Sequence, residues 1–196
     1  RGPRGIGFMF IRRALLEGKT ANYDPEPRMI DMHGASWATT SNSVNSYSLR
    51  PDARRFEFWE SNVAGKVAAK VAIDEALALG LQNIEAQIQS LAGDFRRLVA
   101  SEGDGKIVSA DKTAGGAKLG GICSLIFPNH PGGAAAVKAT LYERRIVVST
   151  SSPSSTARDA EERQLGVLLR VSFHYYNTDD DVRHVFAALK SIVDCR

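Results

Sequence analysis

From Val63 onward the apolar residues fall into a helical rhythm. Val63, Val67 and Val71, interleaved with Ala64, Ala68, Ala72 and Ala76, recur at three- and four-residue spacing until Gly80 interrupts them. Positions so spaced lie along one helix, because a helix turns once every ~3.6 residues. Ser61 or Asn62 is suited to cap its start, and Gly80 to stop it. Asn83 is suited to cap a second helix, on which Ile84, Ile88, Leu91, Phe95 and Leu98 form one apolar stripe. The spacing thus predicts two helices that follow each other around Gly80 with almost no linker.

The pattern on either side differs. Upstream, Gly2, Pro3, Gly5 and Gly7 mark a turn, and Phe8 to Ile11 reads as a short strand ended by Arg12 and Arg13. From Lys19 to Asp52 no helical period emerges. Pro25, Pro27 and the polar stretch Thr39 to Ser48 predict extended, irregular chain there. Downstream of Gly103 helices and strands alternate. Strands are expected at Ile107-Val108, Ile122 to Phe127, Ile146 to Ser149 and Val167 to Phe173, with a Gly-rich loop from Asp111 to Gly121. The run Ile122 to Phe127 is nearly continuous in apolar residues, which predicts burial on both faces. Ala134 to Arg144 reads as a helix, and Ser149 to Ser155 as a Ser-rich loop. Thr178 opens a last helix with Asp181 in capping-box position, burying Val182, Val185, Phe186, Leu189, Ile192 and Val193.

Composition narrows the class. Of 196 residues, 43% are hydrophobic and 24% charged, which excludes disorder as a whole-chain reading. The 25 Lys and Arg against 22 Asp and Glu leave a formal charge of only +3, with the basic residues scattered, so no nucleic-acid partner is expected. No apolar stretch reaches the ~18–20 residues of a membrane helix. Two cysteines, Cys123 and Cys195, make no disulfide framework and fit a reducing, cytoplasmic compartment. The chain opens on Arg1-Gly2-Pro3-Arg4 with neither methionine nor targeting signature, so processing or a longer parent chain is expected.

Few residues carry chemistry on their own. Gly2 to Gly7 invites a phosphate-loop reading, but such a loop needs a strand before it and a helix after it, and here a strand follows. A tight turn is the better reading. Asp179, Asp180 and Asp181 complement the dipole of a helix start, and the dispersed His33, His130, His174 and His184 build no metal site. Arg170 is the informative one. It sits within a strand otherwise suited to a core, and a guanidinium cannot shed its charge there. An internal salt bridge or a snorkelling edge position would satisfy it; so would a bidentate clamp on a carboxylate ligand. His174, Tyr175 and Tyr176 follow that strand, where either a ligand-facing loop or aromatic packing would suit. Arg54 to Asn62 precedes a helix start that could receive an anion, or simply form a capped helix with a local ion pair. No nucleophile elbow is present, and Cys123 reads as an inert buried thiol.

Three segments, in order and spanning nearly the whole chain, resemble the C-terminal part of class V fold-type I pyridoxal-phosphate enzymes, the aminotransferases and cysteine desulfurases. RGPRGIGFMFIRR is similar to the glycine turn and strand after the cofactor lysine. RRFEFWESN is similar to the segment that approaches the cofactor phosphate from the neighbouring subunit. LLRVSFHYYNTDDDV is similar to the stretch with the substrate-carboxylate arginine. The resemblance implies an α/β fold: residues 1–60 as the end of the large cofactor domain, and 61–196 as the linking helix and small α/β C-terminal domain. It implies a homodimer with pyridoxal 5'-phosphate at the subunit interface, and Arg170 as clamp for the carboxylate of a small amino-acid substrate.

Two departures shape the functional expectation. The family's Schiff-base lysine would fall just upstream of Arg1, and none of the lysines present has that context, so this chain alone is expected to hold no catalytic residue and to be inactive. Desulfurases place a nucleophilic Cys before the arginine strand, whereas Val148 to Ser155 holds no thiol. A C–S lyase or an epimerase is therefore expected in the complete enzyme, with an aminotransferase as alternative and a non-catalytic dimerisation module as the alternative of another class. Where relatives carry a phosphate-binding Thr, this chain has Trp59-Glu60-Ser61-Asn62. Ser61 and Asn62 are the expected phosphate donors, with the Glu60 carboxylate turned elsewhere.

Overall fold

The computed structural model describes residues 2–18, 26–40, 43–112 and 118–195. The chain forms two compact units, residues 1–78 and 79–196.

In the first unit, Gly5 takes a left-handed φ of 81°, as a tight turn requires. The expected strand at Phe8 to Ile11 is absent. Those residues find no strand partner, and Phe8 and Phe10 are almost fully exposed. A short helix α1 (Arg13–Leu16) follows. The stretch expected to be irregular instead holds an antiparallel pair, β1 (Ala35–Thr40) and β2 (Ser43–Leu49), with Trp37 opposite Tyr47. Alternation of polar with bulky residues was hidden there by the abundance of serine. A 3-10 turn (Ala53–Phe56) comes next, capped by the Asp52 carboxylate on the Arg54 amide.

Arg55 ties this unit together. Its buried guanidinium donates to the Arg50 carbonyl at 2.9 Å and to the Leu16 carbonyl at 3.2 Å. Arg54 pairs with Asp52 at 2.7 Å, a partner just outside the Arg54 to Asn62 cluster in which a local ion pair was expected. Helix α2 (Val63–Leu79) is capped by Asn62, whose Oδ1 accepts the Gly65 amide at 2.8 Å. Its Val63, Val67 and Val71 row is exposed, and Gly65 and Ala69 are its buried positions.

In the second unit, α3 (Leu81–Glu102) starts directly after Gly80, whose φ of 84° ends the preceding helix. Asn83 does not cap α3 as expected. It lies inside the first turn and donates its amide back to the Leu79 carbonyl at 3.0 Å, closing the end of α2. The remaining elements are β3 (Val108–Ser109), β4 (Ile122–Ile126), α4 (Gly133–Glu143), β5 (Ser149–Ser151), α5 (Ala157–Glu162), β6 (Leu168–Ser172) and α6 (Asp179–Asp194). The strands form one sheet in the order β3-β4-β6-β5, antiparallel throughout. Part of the Ser-rich segment thus supplies an edge strand and a 3-10 turn (Pro153–Thr156) rather than a loop, and the strand expected at Ile146 begins at Ser149.

The sheet buries one face only. Cys123, Leu125, Leu169 and Val171 point into a core shared with α3, α4 and α6. β4 therefore alternates, with Ile122 exposed and Ser124 half-exposed, and is not buried on both faces as its composition suggested. Phe95 on α3 is fully buried, 5.2 Å from Phe173 and edge-on to Phe186 at 6.4 Å. Ring pairs of this kind add about 0.5–1.5 kcal/mol each beyond their burial. The capping box at Thr178 forms, and all six residues expected on the inner stripe of α6 are buried.

Candidate functional site

The sheet face opposite the core carries Arg170. Arg170 on β6 stands directly opposite Ser124 on β4 and Ser149 on β5, so one row across the sheet reads Ser124, Arg170, Ser149. Side chains opposite one another in antiparallel strands lie on the same face, with Cβ atoms about 5 Å apart. Small hydroxyl residues on both sides leave the long guanidinium room and contribute no charge. No described residue offers the Arg170 guanidinium a carboxylate or a hydrogen bond. The internal salt bridge that the sequence left open is therefore not formed among the described residues.

Arg170 lines a cleft of about 460 Å³. Asp111 and Asp159 line it as well, but each is already engaged. Asp111 accepts from Arg96 Nε at 2.9 Å and from the Ser124 amide at 3.1 Å. Asp159 accepts from Arg163 at 3.1 Å, and Arg163 also donates to the Ala110 carbonyl at 2.6 Å. Arg96 further donates to the carbonyls of Gly120 and Ile122, both at 2.8 Å, fixing where the chain re-enters β4 after the Gly-rich segment. Residues 113–117 of that segment lie outside the described residues.

In the first unit, a cleft of about 840 Å³ is lined by Gly5, His33, Trp59, Ser61, Asn62 and Lys66, among others. Asp31 Oδ1 accepts from the amides of His33 at 2.9 Å and Trp59 at 3.2 Å, drawing both residues together. Gly65 leaves the approach to α2 open: a Cβ there would fall 2.9 Å from the Ile6 side chain and 2.7 Å from the Asn62 amide. Ser61 Oγ accepts from Lys66 Nζ at 2.9 Å. The Val63 and Ala64 amides, at the positive end of the α2 dipole, have no partner among the described residues. This donor set suits a phosphate. Glu60 was expected to turn elsewhere, yet it also lines the cleft.

Of the expected site residues, Ser61 and Asn62 thus belong to the first unit and Arg170 to the second. His174 stacks on Tyr176 at 4.9 Å and meets Tyr175 at 4.5 Å, which is aromatic packing. Cys123 is buried on the core face, and loss of solvation pushes its thiol up to about 12. No group of His, Cys, Asp and Glu among the described residues could hold a metal.

The family described as Aminotransferase class-V matches residues 1–185. The chain belongs to the class V aminotransferase family. Within it, the class V chain is 32% identical over 183 residues to a probable hercynylcysteine sulfoxide lyase of Mycobacterium tuberculosis (strain CDC 1551 / Oshkosh), covering 92% of this chain and 39% of the relative. Its fold is that of an apo cysteine desulfurase from Thermococcus onnurineus NA1, with TM-score 0.76 and 22% identity over 98% of this chain and 44% of that one. The cysteine desulfurase CsdA of Escherichia coli gives TM-score 0.77 and 19% identity over 98% and 43%. The class V chain thus spans about two fifths of the length of these relatives.

The register and the Arg96 and Arg163 anchors could not be read from the class V sequence alone. One signal for Ser124 was available: it is the polar break in Ile122 to Phe127, two residues from the next outward position.

Proposed function

We propose that the chain supplies the substrate-carboxylate clamp and part of the cofactor-phosphate site of a pyridoxal-phosphate enzyme acting on a small amino acid, of the C–S lyase type. The observation that carries this is Arg170, half-buried on an open sheet face between two hydroxyl residues and with no carboxylate partner among the described residues. A guanidinium so placed binds a carboxylate through two parallel hydrogen bonds and orients the α-carbon behind it.

The residues of the first cleft fit the phosphate of the cofactor. Ser61, the Asn62 amide and Lys66 would donate to it at the start of α2. When bound, pyridoxal phosphate supplies an electron sink for negative charge developing at the substrate α-carbon. The likeness to a probable hercynylcysteine sulfoxide lyase supports C–S bond cleavage over transamination or epimerisation. The lack of a thiol from Val148 to Ser155, with Cys123 locked in the core, disfavours sulfur transfer. The exposed Val63, Val67 and Val71 row supports association of this surface with a second subunit.

Titration calorimetry with L-alanine and with pyridoxal 5'-phosphate tests the assignment. Arg170→Ala weakens L-alanine binding about tenfold or more and leaves the cofactor affinity unchanged. Equal loss of both, or none, overturns it.

A further inference from the structure

The cleft around Arg170 holds more positive charge than one α-carboxylate needs. Its two lining carboxylates are each neutralised at short range, Asp111 by Arg96 and Asp159 by Arg163. That leaves two cations in the cleft with no carboxylate partner among the described residues, Arg170 and Lys112. The hydroxyls of Ser124, Ser151 and Thr156 line the same space and make no hydrogen bond with any described residue. Beside them Leu119, Ile122 and Leu168 give an apolar stretch of wall.

Resting on the reading of Arg170 as carboxylate clamp, we propose that this cleft selects amino acids whose side chain is an aliphatic stem ending in an oxyanion. Arg170, with Ser124 opposite it, satisfies the two oxygens of one carboxylate. Lys112 lies beyond the end of β3, two residues after Ala110, whose amide bonds the Ser124 carbonyl at 2.8 Å. It is a separate point charge, carrying three donors of its own. Ser151 and Thr156 approach from β5 and the turn that follows, and add neutral donors that an oxyanion accepts and a methyl group cannot use. An aliphatic side chain would cover these groups and strip them of water without replacing the lost hydrogen bonds, which penalises binding. A side chain with a terminal carboxylate or other oxyanion meets them and lays its methylenes on Leu119, Ile122 and Leu168.

Titration calorimetry on the full chain with L-glutamate, L-glutamine and L-norvaline, which share one backbone and similar length, tests this. L-glutamate binds about tenfold tighter than L-norvaline, with L-glutamine between them. Lys112→Gln, at an exposed position, brings the glutamate-to-norvaline ratio close to one, chiefly by weakening glutamate. Arg170→Ala weakens all three ligands. Equal affinities for glutamate and norvaline, or a ratio that survives Lys112→Gln, overturns the selectivity and leaves the Arg170 clamp standing. Norvaline binding that is indifferent to Arg170→Ala overturns the clamp itself.

Discussion

Arg96 and Asp111 form a largely buried ion pair, 2.9 Å between Nε and Oδ2, that joins α3 to the segment leaving β3. The pair also takes up the Ser124 amide and two carbonyls at the entry to β4. Removing one partner leaves the other charge in poor solvent with its hydrogen bonds broken. Arg96→Leu or Asp111→Leu alone is expected to cost about 3 kcal/mol. The double substitution costs less than the sum, and a urea-unfolding double-mutant cycle measures the difference.

Arg170 predicts the opposite behaviour. It has no ion pair among the described residues, so Arg170→Met is expected to change stability by no more than about 0.5 kcal/mol. A loss near 2 kcal/mol in the same unfolding measurement shows that the guanidinium has a structural partner after all.

The two thiols differ in reactivity. Cys195 is exposed, whereas Cys123 is buried with its thiol pushed up to about 12, leaving about one part in ten thousand as thiolate at pH 8. A disulfide reagent titrates one thiol in the native protein and a second only on unfolding. Cys195→Ser abolishes the fast phase.

The start of α6 gives a pH dependence. The Asp181 carboxylate is held below its usual range, first by the Thr178 amide and then by the Asn177 side chain. The folded state therefore binds this proton more weakly than the unfolded state does. The resulting stability is fully present above the ordinary carboxylate pKa and is lost as the pH falls through the lowered folded value. The stability gap between wild type and Asp181→Asn is constant above about pH 5 and shrinks below about pH 4. Thr178→Ala, which removes the other half of the box, costs about 1 kcal/mol at neutral pH.

Local signals were legible and pairing was not. The helix from Val63, the stop at Gly80, the Thr178 capping box and the α6 stripe all follow from chemistry within one turn of chain, and the structure forms each of them. The hairpin of β1 and β2 escaped notice because Ser and Thr on its strands look like loop composition until a partner strand fixes their register. The role of Asn83 differs from its expected one for a related reason: an Asn near a helix start serves the preceding helix as readily when only one residue separates the two. Arg170 was visible as an anomaly within an apolar strand. That its guanidinium has no partner among the described residues is visible only in the structure.

The row Ser124, Arg170, Ser149 has a consequence for how this sequence can vary. Side chains on a strand change sides at every step, so adding or deleting one residue within β6 ahead of Arg170 would send the guanidinium into the space filled by Leu169 and bring Leu169 out into the cleft. The turn between α5 and β6 can absorb changes of any length; the strand tolerates only even ones. Homologous chains are thus expected to differ in length around Arg163 to Gly166 while the parity of β6 stays fixed, a constraint on counting rather than on residue type.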